Sequence, residues 1–371
     1  MPSSTSSSSG GGGGEFRRET PRGAWTRSAI VALVILLVAV GVWEGKVRAW
    51  GYAPCLNDSS DLWARSRSQV NDDPDQMVVI GSSRILFDLD LQTCADSLGV
   101  ALPVQLAMPG TNPLPILEDL ADNTEFRGIL LIGAVPGLWM APQGMPVDRA
   151  NGALGRYRNW SPSQKAGLVF GSVLQKRLAF INADDLTLPT LLQKNLQLAD
   201  RPGTADNLPP VLPPYFAWPD DRRQNRMWEL CDFGTPLAAR IQQIWVPLFT
   251  PPPPPPHIPP EEFGQMVQAG FEAHFQRIAA ACDKLRARGA RMVWVRPPSS
   301  GELREIEQET TPREAIYARM VGASGAPGIH FENHPELAGF ECPEWSHLTA
   351  RDAVAFTRAL MPHVKEALEG S

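Results

Sequence analysis

The chain has 371 residues, is 43% hydrophobic and carries a formal net charge of −6. That length can bury a sizeable core, as one large domain or two ordinary ones. The acidic balance, with an isoelectric point near 5.6, argues against a basic nucleic-acid-binding surface.

Residues 1–24 hold a Ser/Thr run and then Gly10 to Gly14, a composition that reads as a disordered tail. Arg17, Arg18, Arg22 and Arg27 precede an uninterrupted apolar run from Ala29 to Trp43. With its flanks, residues 25–45 approach the roughly 20 needed to cross a bilayer. Trp25 and Trp43 suit the two headgroup layers, and the arginine bias favours a cytoplasmic N-terminus with an exported body. The segment is read as an uncleaved signal anchor. A cleaved signal peptide and a buried helix are the alternatives, the first lacking a clear small-x-small cleavage site.

Residues 46–75 read as a linker. Beyond it, strands are expected at Met77–Ile80, Val104–Met108, Gly128–Ala134, Arg291–Val295 and Gly328–Phe331, as apolar, β-branched runs. Helical spacing is expected over Leu89–Leu98, Leu114–Asp122 and Glu261–Arg288. Thr311-Pro312-Arg313-Glu314 has the form of a capping box opening another helix, and Thr349-Ala350-Arg351-Asp352 of a box-type cap on the last. Strand and helix alternate, which predicts an α/β fold with a parallel sheet covered on both faces. The rhythm breaks over residues 136–260, a Trp- and Pro-rich insertion that includes the extended run Pro251 to Pro256. It is read as a lid or acceptor-site insertion, with a purely structural flap as the alternative; a ligand for a peptide-binding module fits an exported body poorly. Residues 76–135 and 261–371 are the two parts of the sheet domain.

Three residues carry the chemistry expected. Ser83, in Gly81-Ser82-Ser83, falls where a strand ends at the carboxyl edge of such a sheet. Alone it would be read as a helix cap. Glu344-Trp345-Ser346-His347 places a carboxylate three residues ahead of a histidine just before the last helix. Together they offer a nucleophile, a base and a group to orient the base. Arg84, Arg296 and Trp345 are expected to contact substrate, with an ion pair such as Arg296–Glu302 as the plainer reading. His330 and His334 lack helical ligand spacing, so no metal is expected, and no cofactor. The five cysteines, Cys55, Cys94, Cys231, Cys282 and Cys342, show no C-x-x-C pair and no zinc spacing. They are read as small apolar residues, although two of them can pair in an exported body.

These blocks resemble the SGNH (GDSL-like) hydrolases and acyltransferases. Gly81-Ser82-Ser83 is similar to their first block, and Glu344-x-x-His347 to their last, with Glu in place of Asp. The resemblance implies a three-layer, flavodoxin-like fold and an oxyanion hole, to which Ser83, Gly110 and Asn112 are assigned. The third block departs from the pattern, having Gly133-Ala134-Val135-Pro136 where an asparagine is expected. Asn112 is the nearest amide able to compensate, an Asx turn being its other reading. With the anchor, the layout looks most like exported proteins of envelope modification. The implied activity is a serine esterase or O-acyltransferase acting on an envelope glycan or an acyl carrier, beside a membrane-bound O-acyltransferase. The alternative is a non-catalytic scaffold that binds a glycan or that acyltransferase.

Overall fold

The computed structural model describes residues 25–181, 186, 212–213, 216–251 and 253–370. The tail 1–24 and much of the insertion between 182 and 215 lie outside the described residues. The chain divides into two units, Met1–Lys46 and Val47–Ser371. Helix α1, Trp25–Ala49, is long and apolar enough to cross a membrane, and its most apolar stretch is nowhere buried.

Within the body, the elements in chain order are α2 (Ser60–Arg67), β1 (Met77–Ile80), α3 (Ser83–Asp88), α4 (Leu91–Leu98), β2 (Val104–Gln105), α5 (Leu114–Asn123) and β3 (Ile129–Gly133). Then come α6 (Pro136–Trp139), α7 (Met145–Arg158), α8 (Pro162–Gln175), α9 (Pro236–Phe249) and α10 (Pro260–Ala287). The last are β4 (Arg291–Arg296), α11 (Gly301–Thr310), α12 (Tyr317–Ser324), β5 (Gly328–His330), α13 (Pro335–Ala338) and α14 (Ala350–Glu369).

The strands form one parallel sheet in the order β2-β1-β3-β4-β5. Strand side chains alternate between faces, and both faces are apolar. Met77, Val79, Leu131 and Val293 enter one cluster, with α4, α9 and α14. Val78, Ile80, Leu130 and Trp294 enter the other, with α5, α7, α10 and α12. Because every strand runs the same way, the segments after them converge on one edge. Close packing sets the first of these segments. Ile85 of α3 sits so near Gly81 and Gly133 that a Cβ added at either would lie about 2.5 Å from its side chain.

Three expectations change. Residues 46–75 are not simply a linker: α2 lies there with Leu62 and Trp63 buried, and Trp63 Nε1 donates to the Leu106 carbonyl at 2.9 Å. Thr311 does not open a helix. Its N–H and hydroxyl both donate to the Glu307 carbonyl, so it ends α11, and a turn from Pro312 separates it from α12. The helix α11 itself was not expected.

The insertion is also more than a flap. Trp139, Trp228 and Trp245 are buried and join the two core clusters. Arg223, fully buried at φ +59°, holds both carboxylate oxygens of Asp58 at 2.6 and 2.8 Å. Its guanidinium also donates to the Gln105 and Ala107 carbonyls at the end of β2. Gln224 next to it accepts from the Leu91 N–H and donates to the Leu89 carbonyl, around the start of α4. An edge strand of two residues is thus closed by side chains from more than a hundred residues downstream. Arg223→Ala leaves Asp58 and two carbonyls without these donors. The expected loss is about 3–5 kcal/mol, read as a lower midpoint in urea unfolding.

Candidate functional site

Ser83 is the first residue of α3, following Ser82 in extended conformation. The hydroxyl of Ser83 is half-exposed and that of Ser82 is buried without a partner. The rest of α3 grips the segment ahead of α14. Arg84 Nε donates to Ser346 Oγ at 3.2 Å, the Phe87 ring lies 4.5 Å from that of His347, and Asp88 Oδ1 accepts from the Leu348 N–H at 2.8 Å. These residues, at positions i, i+3 and i+4, share one side of a helical turn. The helix that starts at Ser83 therefore fixes the loop that ends at His347.

Glu344 is fully buried. Its Oε1 accepts from His347 Nδ1 at 2.9 Å, from the His347 N–H at 2.5 Å and from the Ser346 N–H at 3.2 Å. Its Oε2 accepts from Trp245 Nε1 at 2.5 Å. The carboxylate folds back onto these groups because Trp345, between them, takes a left-handed backbone at φ +77°, which a non-glycine residue adopts at a cost of about 1–3 kcal/mol. The Trp345 ring lies against Gly301, where a Cβ would be 2.3 Å from the indole nitrogen.

With Nδ1 assigned as the donor to Glu344, Nε2 of His347 carries the free lone pair. That nitrogen is buried and has no hydrogen-bond partner. The ring is walled by Phe87, by Phe216 at 5.6 Å and by Trp245 at 6.0 Å. Ser83 and His347 share no hydrogen bond among the described residues. The structure joins the two motifs through α3 and completes the histidine–carboxylate pair, leaving the serine–histidine bond open.

Two sets of expected contacts fail. Asn112 is buried, and its amide donates to the Trp139 and Ala141 carbonyls while its oxygen accepts from the Leu114 N–H. It has no donor left for an oxyanion, so the Asx-turn alternative is what forms. Gly110, half-buried at φ +60°, and the first N–H of α3 remain.

Arg84 and Arg296 are each 1% exposed, so their guanidiniums are taken up inside the protein. Both face Glu307 of α11. Arg84 Nη2 lies 2.5 Å from Oε1, and Arg296 Nη2 donates to Oε2 at 2.6 Å. Ser299 Oγ also donates to Oε2, at 2.7 Å. Burial alone would raise the Glu307 pKa, but the two guanidiniums overcome it and hold it at about 2. Of the three residues expected to contact substrate, only Trp345 keeps exposed surface.

All five cysteines are buried, and none is in a disulfide. Burial pushes the Cys94 and Cys282 thiols up to about 12 and raises Cys342 strongly, which disfavours a thiolate nucleophile. A cavity of about 160 Å³ opens beside Arg296, Arg304, Tyr317 and His330; Ser83 and His347 do not line it. His330 is held neutral, at about 3, by burial and by Arg296, Arg313 and Arg304.

His334 pairs with His363, their rings 4.0 Å apart. With Glu336, which binds His363 at 2.5 Å, their ligand atoms lie within 4.8 Å of one another. This group can hold a divalent ion, a possibility hidden in the sequence by the distance from His334 to His363. His363 lies about 20 Å along α14 from its start, so the cluster stands apart from His347.

Trp245, Phe87, Asp88 and Glu307 are the site residues that sequence reasoning missed. None lies in a motif: Trp245 is one tryptophan among 11, and only the fold brings it to Glu344. No protein-family model and no curated protein sequence matches this chain.

Glu307→Gln leaves two buried guanidiniums facing an uncharged group, with an expected loss of about 3–5 kcal/mol. The pH dependence has a definite sign. With its folded pKa held near 2, below the ordinary 4.5, Glu307 contributes stability that is complete above about pH 4.5 and lost toward pH 2. The stability gap between wild type and Glu307→Gln should shrink over that window in urea titrations. His330, depressed from 6.5 to about 3, makes the unfolded state bind the extra proton. Wild-type stability should therefore already fall as pH drops below about 6.5.

Proposed function

We propose that this chain is a membrane-anchored serine esterase or O-acyltransferase of SGNH type, acting on an envelope glycan or an acyl carrier. The observation that carries the reading is the His347–Glu344 pair. Its second imidazole nitrogen is unpartnered, and its loop is clamped by the helix that begins at Ser83. The strand order 2-1-3-4-5 is also that of flavodoxin-like sheets, which supports the three-layer SGNH layout.

In this reading the Ser83 hydroxyl attacks the acyl carbonyl as His347 Nε2 takes its proton. Glu344 holds the ring in the required tautomer and balances the imidazolium. The N–H groups of Ser83 and Gly110 receive the developing oxyanion. His347 then returns the proton to the leaving oxygen, and water or a sugar hydroxyl resolves the acyl-enzyme. Helix α1 anchors the protein in the cytoplasmic membrane with its N-terminus inside and the body exported, where a membrane-bound O-acyltransferase is the fitting acyl source.

The second reading, a non-catalytic scaffold for a glycan or for that acyltransferase, is favoured by two observations: Ser83 and His347 are unbonded, and Asn112 has no free donor. Fluorophosphonate labelling of the full-length protein separates the two. The esterase reading expects labelling that Ser83→Ala and His347→Ala abolish. It also expects Trp245→Phe, which keeps the ring but removes the donor to Glu344, to slow labelling about tenfold. A wild type that stays unlabelled beside a reactive reference hydrolase would decide for the scaffold.

A further inference from the structure

Helix α8 leaves most of its large apolar side chains exposed. A surface helix ordinarily turns its apolar stripe to the core, yet α8 has no buried residue over 14 positions. Its start is well defined, with Ser161 and Gln164 bonding reciprocally as a capping box. The side toward the body carries Gln164, Leu168, Gly171, Ser172 and Gln175, all half-buried, and Gln175 Oε1 accepts from the Asn57 N–H. The opposite side carries Val169, Phe170, Val173 and Leu174, exposed by 62, 74, 46 and 51%. Adjacent apolar groups of this size mark a contact surface.

The occupant follows from where α8 lies. The last residues of α1 belong to the body, and Val47 is fully buried there. Arg48 Nη2 donates to the Arg177 carbonyl, just past the end of α8. A second exposed apolar pair meets the same stretch: Leu230 lies 2.8 Å from where a Cβ on Gly51 would stand, and Phe233 is 52% exposed. Leu230 thus adjoins Gly51, two residues past the end of the helix that holds the candidate membrane span. Lys165 on α8 is exposed, as are Lys176 and Arg177 just past its end, Lys176 being paired with Asp221 at 2.8 Å. An apolar face with basic residues around it matches an anionic lipid surface.

We propose that α8 is an interfacial helix, its Val169–Leu174 face seated at the headgroup–acyl boundary of the bilayer that α1 crosses. This rests on the reading of α1 as a membrane anchor. The body then has a second, non-spanning attachment to the bilayer.

The test uses full-length protein in vesicles of phosphatidylcholine and phosphatidylglycerol with nitroxide-labelled acyl chains. Bimane is placed at Phe170→Cys or Leu174→Cys, at Ile35→Cys in α1, and at Arg351→Cys as a distant exposed control; the native cysteines are buried. The expected result is loss of emission at 35, 170 and 174 and none at 351. If 35 is quenched while 170 and 174 behave like 351, the α8 proposal is overturned and the anchor stands. Aqueous iodide then separates an open face, where it quenches, from one covered by protein, where it does not. If 35 is also unquenched, the anchor reading falls and this proposal with it.

Discussion

One carboxylate between two buried guanidiniums holds the candidate site in place. Glu307 joins the end of β4, through Arg296, to α3, through Arg84. Arg84 in turn bonds Ser346 on the loop of His347. Such a network is not automatically stabilising, since taking three charges out of water is costly and well-packed apolar groups often do as well. Its consequence here is geometric. The guanidiniums of α3 and of the end of β4 must meet the same acid, so these two elements have little freedom to move apart. Apolar packing at those positions would tolerate sliding that these bonds do not.

The insertion extends this constraint. Trp245 reaches Glu344 from α9, and Phe216 forms part of the wall around His347. A buried carboxylate needs all its lone pairs engaged, and Glu344 has only the backbone and His347 on one oxygen. Without the indole, Oε2 would be buried and unbonded. The segment that interrupts the sheet domain therefore completes a histidine–carboxylate pair whose two members both belong to that domain.

The alternation of strands and helices was legible because a parallel sheet buried on both faces needs continuous apolar runs, as at Met77–Ile80 and Ile129–Gly133. The contact between Glu344 and His347 was legible because its motif is local. What failed depended on partners distant in sequence. Arg84 and Arg296 look like anion-binding groups until Glu307, on a helix the periodicity did not reveal, is seen between them. Asn112 has the right chemistry for an oxyanion, but Trp139 and Ala141 offer it carbonyls first. Thr311 reads as a cap in isolation, yet the Glu307 carbonyl of the preceding helix takes both its donors.

The length of the Glu344 side chain has a physical use. A carboxylate three residues before its histidine must turn back on the chain to reach Nδ1. The longer side chain of Glu344 does so while also accepting the Ser346 and His347 N–H groups. The turn that permits this places Trp345 at positive φ, and its strain is opposed by the contacts the turn creates. The Trp345 carbonyl accepts from the Ser300 N–H at 2.9 Å, and its ring occupies the space that Gly301 leaves open. The pair is thus held from both sides, by the loop after β4 against Trp345 and by α9 against Glu344. The imidazole is thereby fixed with Nε2 buried and without a hydrogen-bond partner.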